Sequence, residues 1–220
     1  IIEEGISREA LFKFVAFLHD SGKPGTGSLS PNGQSVRFFD HDQEGQRINL
    51  LIAQRMKLSR KSVRIISDLT RQHMRIQSLA KTEEVTSRAK YRFFRELGKE
   101  GIEAIFLALS EGLASKPIRL GKPLVQELPG DLRKIREVAE ELLRYYFEEF
   151  SPKPPRPLLD GKEVMEALGL PPGEEVGRLL DRLREAEIAG RVRTREEALE
   201  FLKNLDSSRP FGYDKSKSRK

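Results

Sequence analysis

Three histidines are the whole stock of imidazole in this 220-residue chain. His19 is followed by Asp20 at the end of the apolar run ALFKFVAFLHD. His41 is followed by Asp42 in FFDHDQEG, and His73 closes LTRQH. Imidazoles and carboxylates that converge can ligate a divalent cation, and such a centre can act on phosphate esters. The same side chains can instead form a buried hydrogen-bond network, with His73 bonded to Asp20 among Ile66 and Leu69. Spacing leaves both open. The candidate ligands are His19, Asp20 and His41, and a structural role for them is the preferred reading.

A second chemistry is carried by charge. The net charge is +6, yet residues 55–99 alone hold 13 basic against 4 acidic residues, and the end of the chain, from residue 207, is basic as well. In LSRKSVRIISDLTRQHMRIQ, Arg60, Arg64, Arg71 and Arg75 fall within about 60° of one another on a helical projection. Val63, Ile66, Leu69 and Met74 take the opposite side. Arginine at stripe positions suits bidentate phosphate contacts, so the block reads as a polyanion-binding face. Lys61, Arg88, Lys90 and Arg92 join it, and Lys162, Arg191 and Arg193 are the candidates further along. Tyr91, Phe93 and Phe94 suit a helix core as well as base stacking.

Composition excludes several classes. Cysteine is absent, which rules out a disulfide framework or thiolate zinc site and favours a cytoplasmic setting. No apolar stretch approaches the roughly 18–20 residues a membrane helix needs, so no membrane partner is expected.

The elements that must position these groups read as helices. Ser7 caps one over 7–20, with Leu11, Phe14, Val15 and Leu18 at helical spacing. The Gly/Pro/Ser-rich stretch 21–35 reads as a loop. Asp40 caps a helix over 41–56 with Ile48, Leu51 and Ile52 on its apolar face, and Ser59 caps the arginine helix over 59–76. Further helices are expected near 85–98, 100–114 and 128–150. The fold class is therefore all-α, with a helical body over 1–150, a Pro-rich linker over 151–157, a small helical module over 158–206 and a disordered basic tail over 207–220. In the module Asp160 caps one helix, Gly190 stops the next, and Thr194 with Glu197 forms a capping box.

Taken in order, FVAFLHDSGKP, VRFFDHDQEGQRI and RQHMR resemble the HD-type region of bacterial tRNA nucleotidyltransferases, the family of CCA-adding, CC-adding and A-adding enzymes and related poly(A) polymerases. PLLDGKEVMEALGLPPGEEVGRLLDRLREAEIAGRVRTREEALEFL is similar to the family's C-terminal tail. The resemblance implies a body and tail that grip the acceptor stem and T arm of tRNA. Mg2+ and ATP or CTP would be handled by a preceding head and neck, since no Gly-Ser followed by an Asp-x-Asp pair occurs in this chain. No catalytic residue is therefore assigned here. The HD signature also resembles metal phosphohydrolases acting on nucleotides or cyclic phosphates, which is the alternative reading. Of their ligands, the first His would lie before Ile1, and where the later Asp is expected the sequence has LALSEGLAS, which places Glu111 there or nothing.

Overall fold

The computed structural model describes residues 5–115, 130–151 and 157–207. It is all-α apart from one two-stranded hairpin. The chain divides into two units, Ile1–Thr86 with Phe93–Pro152, and Ser87–Arg92 with Lys153–Lys220.

The first unit opens with α1 (Arg8–Leu18), capped by Ser7, whose hydroxyl accepts from the Ala10 amide at 3.0 Å. Leu11 and Val15 are buried. The expected loop at 21–35 is more ordered than its composition implies. It forms a single helical turn, α2 (Lys23–Thr26), and a hairpin of β1 (Gly27–Leu29) and β2 (Val36–Phe38), with Ser28 opposite Arg37. The hairpin carries little apolar alternation because neither strand buries a face, so period-2 patterning could not reveal it.

Next comes α3 (His41–Arg55), and its inward face differs from the expected one. His41, Gly45, Asn49 and Ala53 are buried at a spacing of four, whereas Leu51 is 54% exposed. Small and polar groups won because α3 lies close along α4 (Arg60–Gln72), where Gly45 admits the Thr70 methyl and Asn49 bonds the Thr70 hydroxyl at 3.0 Å. Asp40 precedes α3 in the left-handed region (φ 57°), and its carboxylate accepts from the Gln43 side chain instead of capping the backbone. Ser59 does cap α4, accepting from the Ser62 amide at 3.2 Å.

The arginine helix is also shorter than expected. It ends at Gln72, where the His73 ring N–H turns back onto the Thr70 carbonyl at 2.7 Å. Arg75 then starts the separate α5 (Arg75–Leu79), so one helical projection does not span all four arginines. The unit is completed by the C-terminal half of α6 (Ser87–Leu97), from Phe93 on, by α7 (Gly101–Ala114), and by α8 (Gly130–Tyr145) with a π turn over Tyr146–Phe150. Phe93 and Phe94 are fully buried, and Phe94 packs against Tyr145, Tyr146 and Phe150. These rings are core, with no face left for a base.

The second unit includes α9 (Gly161–Leu168), α10 (Glu174–Ile188) and α11 (Arg195–Ser207). Asp160 and Glu163 form a reciprocal capping box on α9. At α11 the Thr194 hydroxyl accepts from the Glu197 amide at 3.2 Å, but the Glu197 carboxylate reaches the Arg193 amide instead of the cap's own. Leu159, Val164, Leu179, Leu183, Val192 and Leu202 make a core of its own. The linker expected at 151–157 and the basic tail expected at 207–220 lie, except at their described end residues, outside the described part of the chain. Among the described residues no helix is long and apolar enough to cross a membrane.

Candidate functional site

All three histidines come together in the first unit. His19 follows α1, His41 begins α3 and His73 follows α4, and each ring donates from Nδ1 to the carbonyl three residues earlier. Ala16, Phe38 and Thr70 accept, at 2.7 Å in each case. That bond fixes the tautomer and turns all three Nε2 atoms inward, as carbonyl partners do for metal-binding histidines. Asp20 meets them, with Oδ2 3.2 Å from His19 Nε2 and Oδ1 3.6 and 3.7 Å from His41 and His73 Nε2. Glu111 of α7 completes a second group with His19 and Asp20. The two sets, Asp20–His41–His73 and His19–Asp20–Glu111, share Asp20 and each converge within 4.8 Å.

Close backbone approach makes this possible. A Cβ on Gly22 would lie 2.1 Å from the His41 carbonyl oxygen and 2.5 Å from the Gly45 nitrogen. Asn49, fully buried, donates to the Leu18 carbonyl at 2.9 Å and accepts from the Ser21 hydroxyl at 2.9 Å. It thereby pins the turn after α1 against α3 and α4.

The electrostatics keep Asp20 ionised among its histidines. Burial pushes the Asp20 carboxyl up, but hydrogen bonds from His19 and Lys23 outweigh it and hold Asp20 well below the usual carboxylate range. The Asp20 bond raises His19, whereas burial lowers His73 and favours its neutral ring. His41 and His73 then present Nε2 to Nε2 at 3.1 Å. With its Nδ1 proton committed to a carbonyl, a neutral His73 presents Nε2 as an acceptor. Buried Asp20 Oδ1 also lacks a hydrogen bond. Two sets of nitrogen and oxygen ligands that share Asp20, one of its oxygens without a hydrogen bond, fit a divalent transition metal.

Of the predicted ligands, His19, Asp20 and His41 therefore meet. His73 and Glu111 stood outside the predicted ligand set. A signal for His73 was present, since it shares with His19 a place just past a helix end.

The basic candidates separate into two groups. Arg71 is ion-paired with Asp42, and Arg75 with Glu96 while lying over the Phe93 ring. In the second unit Arg88 and Arg92 both reach Glu185, at 2.5 and 3.3 Å. Arg193 donates to the Gly190 carbonyl at 3.1 Å, and Lys90 is half-buried. By contrast Arg60, Lys61 and Arg64 on α4 are exposed and, among the described residues, form no ion pair; the same holds for Lys162 and Arg191.

Fold and site together define an all-α protein with a histidine–carboxylate cluster and an exposed basic row on α4. No protein-family model matches the chain. Over most of its length it is similar to part of several tRNA nucleotidyltransferases. The CC-adding tRNA nucleotidyltransferase of Thermus thermophilus is 34% identical over 191 residues, 86% of this chain and 39% of the relative. The A-adding tRNA nucleotidyltransferase of Deinococcus radiodurans is 34% identical over 202 residues, 92% and 43% respectively. A CC-adding enzyme of Geobacter sulfurreducens is 28% identical over 212 residues, 96% and 39%. The chain thus spans about two fifths of the length of the curated relatives it matches.

Proposed function

We propose that this chain is the tRNA-holding portion of a nucleotidyltransferase that adds nucleotides to the tRNA 3′ end. The observation that carries this reading is the row Arg60, Lys61 and Arg64, exposed and, among the described residues, in no ion pair, in a chain similar to tRNA nucleotidyltransferases. Such a face binds phosphates and reads shape more than sequence. The acceptor stem and T arm are the surfaces it would hold, in the cytoplasm. Nucleotidyl transfer, with Mg2+ and ATP or CTP, belongs to head and neck segments of the same enzyme. The test is tRNA binding across a salt series by the Arg60→Ala/Lys61→Ala/Arg64→Ala variant. A loss of affinity with a flatter salt slope is expected, and unchanged affinity and slope would refute the reading.

A second reading is favoured by the converged Nε2 atoms. A bound divalent cation would supply Lewis acidity toward a phosphate ester. His41 and His73 with Asp20 would hold it in one set, and His19, Asp20 and Glu111 are the other set that could hold a cation. Lys23, 2.5 Å from Asp20, places a cation at the rim for an anionic substrate. Metal-dependent hydrolysis of nucleotides or cyclic phosphates, lost in Asp20→Asn, would establish it.

A further inference from the structure

A cavity of about 380 Å3 lies between α3 and α4, lined by Leu50, Gln54, Leu58, Val63 and Ser67, with Arg60 and Arg64 also in its wall. It has an apolar floor, two amide or hydroxyl groups able to donate and accept, and two arginines one helical turn apart. No lining residue is acidic. Its volume falls within the roughly 300–1,000 Å3 typical of small-molecule sites. Leu58 reaches it through the end of α3. Its amide donates to the Ala53 carbonyl and that of Lys57 to the Gln54 carbonyl, at 3.1 and 2.9 Å, which puts Lys57 in the left-handed region at φ 56°.

We infer that this cavity seats one unstacked nucleotide of the bound RNA, its base on Leu50, Leu58 and Val63 and its flanking phosphates on Arg60 and Arg64. The inference rests on the RNA-binding reading above. A duplex bound only through its backbone needs a charged surface that follows its phosphates and has no use for a recess with an apolar floor. A splayed base needs that recess, and an arginine plane beside it gives a surface to stack on. A free triphosphate fits less well. It calls for backbone amides cradling its phosphates, and the connecting segment RMKLSR contains no glycine with which to build such a loop. Two arginines match the phosphodiesters on either side of a single residue.

The test separates base seating from charge. Val63→Phe fills the floor without altering charge, and Ser67→Leu narrows the cavity from the other side. In the whole chain each is expected to weaken tRNA binding about tenfold, within the range for loss of one stacked base, with the slope of log K against log salt unchanged. A Gln54→p-benzoylphenylalanine variant should photo-crosslink to one nucleotide outside the tRNA helices. Wild-type affinity in folded Val63→Phe and Ser67→Leu proteins would overturn the proposal. So would crosslinks scattered along the duplex stems, or crosslinking abolished by ATP or CTP alone, which would reassign the cavity to a free nucleotide. If Arg60→Ala/Arg64→Ala leaves the salt slope unchanged, the RNA face itself fails. If it flattens the slope while cavity filling has no effect, only the nucleotide seat fails.

Discussion

His73 shows most clearly how a single residue couples burial to charge here. It is fully buried, burial lowers its pKa, and its Nε2 faces that of His41. Because the folded state holds the ring neutral, its contribution to stability is complete above the ordinary imidazole value of about 6.5 and is lost as pH falls below it. His19, raised by Asp20, acts in the opposite sense, contributing fully below that value and fading as pH rises through its raised pKa. The melting temperature of the wild type should therefore drop more between pH 7 and pH 5 than that of His73→Asn; parallel curves would show that the ring does not titrate on unfolding. The Asp20 oxygen without a hydrogen bond makes a separate demand. Millimolar Zn2+ or Mn2+ should raise the melting temperature of the wild type, by about 2.7 kcal/mol of added stability at a hundred times the dissociation constant, and should leave Asp20→Asn unmoved. Equal shifts in both proteins would place the metal elsewhere.

At the scale of elements, the joint between the α1 turn and α3 depends on the absence of side chains. Gly22→Ala would drive a methyl into the His41 carbonyl and the Gly45 amide. Both are backbone atoms that cannot rotate aside, so a loss of about 1–3 kcal/mol is expected in urea unfolding, together with loss of any metal-induced stabilisation. The turn from α3 to α4 presents the reverse situation. Lys57 occupies a left-handed position that glycine normally takes, at a strain cost of about 1–2 kcal/mol. Lys57→Gly should relieve that strain, offset in part by the greater freedom of the unfolded chain, and leave stability equal or up to about 1 kcal/mol higher. If the lysine is kept for its charge, tRNA affinity should fall in the same protein. A variant that binds tRNA as well as wild type would remove Lys57 from the basic face.

On the whole molecule the net charge of +6 is a poor guide to where the proposed RNA face lies, because acids neutralise much of the basic block locally. Arg60→Ala and Arg64→Ala should each lower the salt slope by somewhat under one unit. Arg71→Ala and Arg75→Ala should leave the slope nearly unchanged and instead reduce stability, since each strands a carboxylate, Asp42 or Glu96, without its cation. Equal slope losses at all four positions would mean that the pairs open when RNA binds. The second unit holds its own core, so removing residues 157–220 is expected to weaken tRNA binding while the first unit keeps its helical circular-dichroism signal.

The sequence by itself determined what rests on neighbours three or four residues apart. Ser7 and Ser59 cap α1 and α4, Asp160 and Glu163 box α9, and Gly190 stops α10, because these bonds close within one turn of helix and need nothing from elsewhere. The order of motifs likewise pointed to the nucleotidyltransferase relatives before any coordinates. Tertiary structure alone decided which charges remain unpaired. Arg71 finds Asp42 across 29 positions and Arg88 finds Glu185 across 97, pairings that no periodicity encodes. It also decided the inward face of α3, where Gly45 and Asn49 displaced Leu51 because a close approach to Thr70 and a buried amide's hydrogen bonds outweighed apolar area. The joining of His19, His41, His73 and Glu111 is of the same kind. Each is unremarkable on its own helix, and only the packing of α1, α3, α4 and α7 brings their donor atoms into two sets around Asp20.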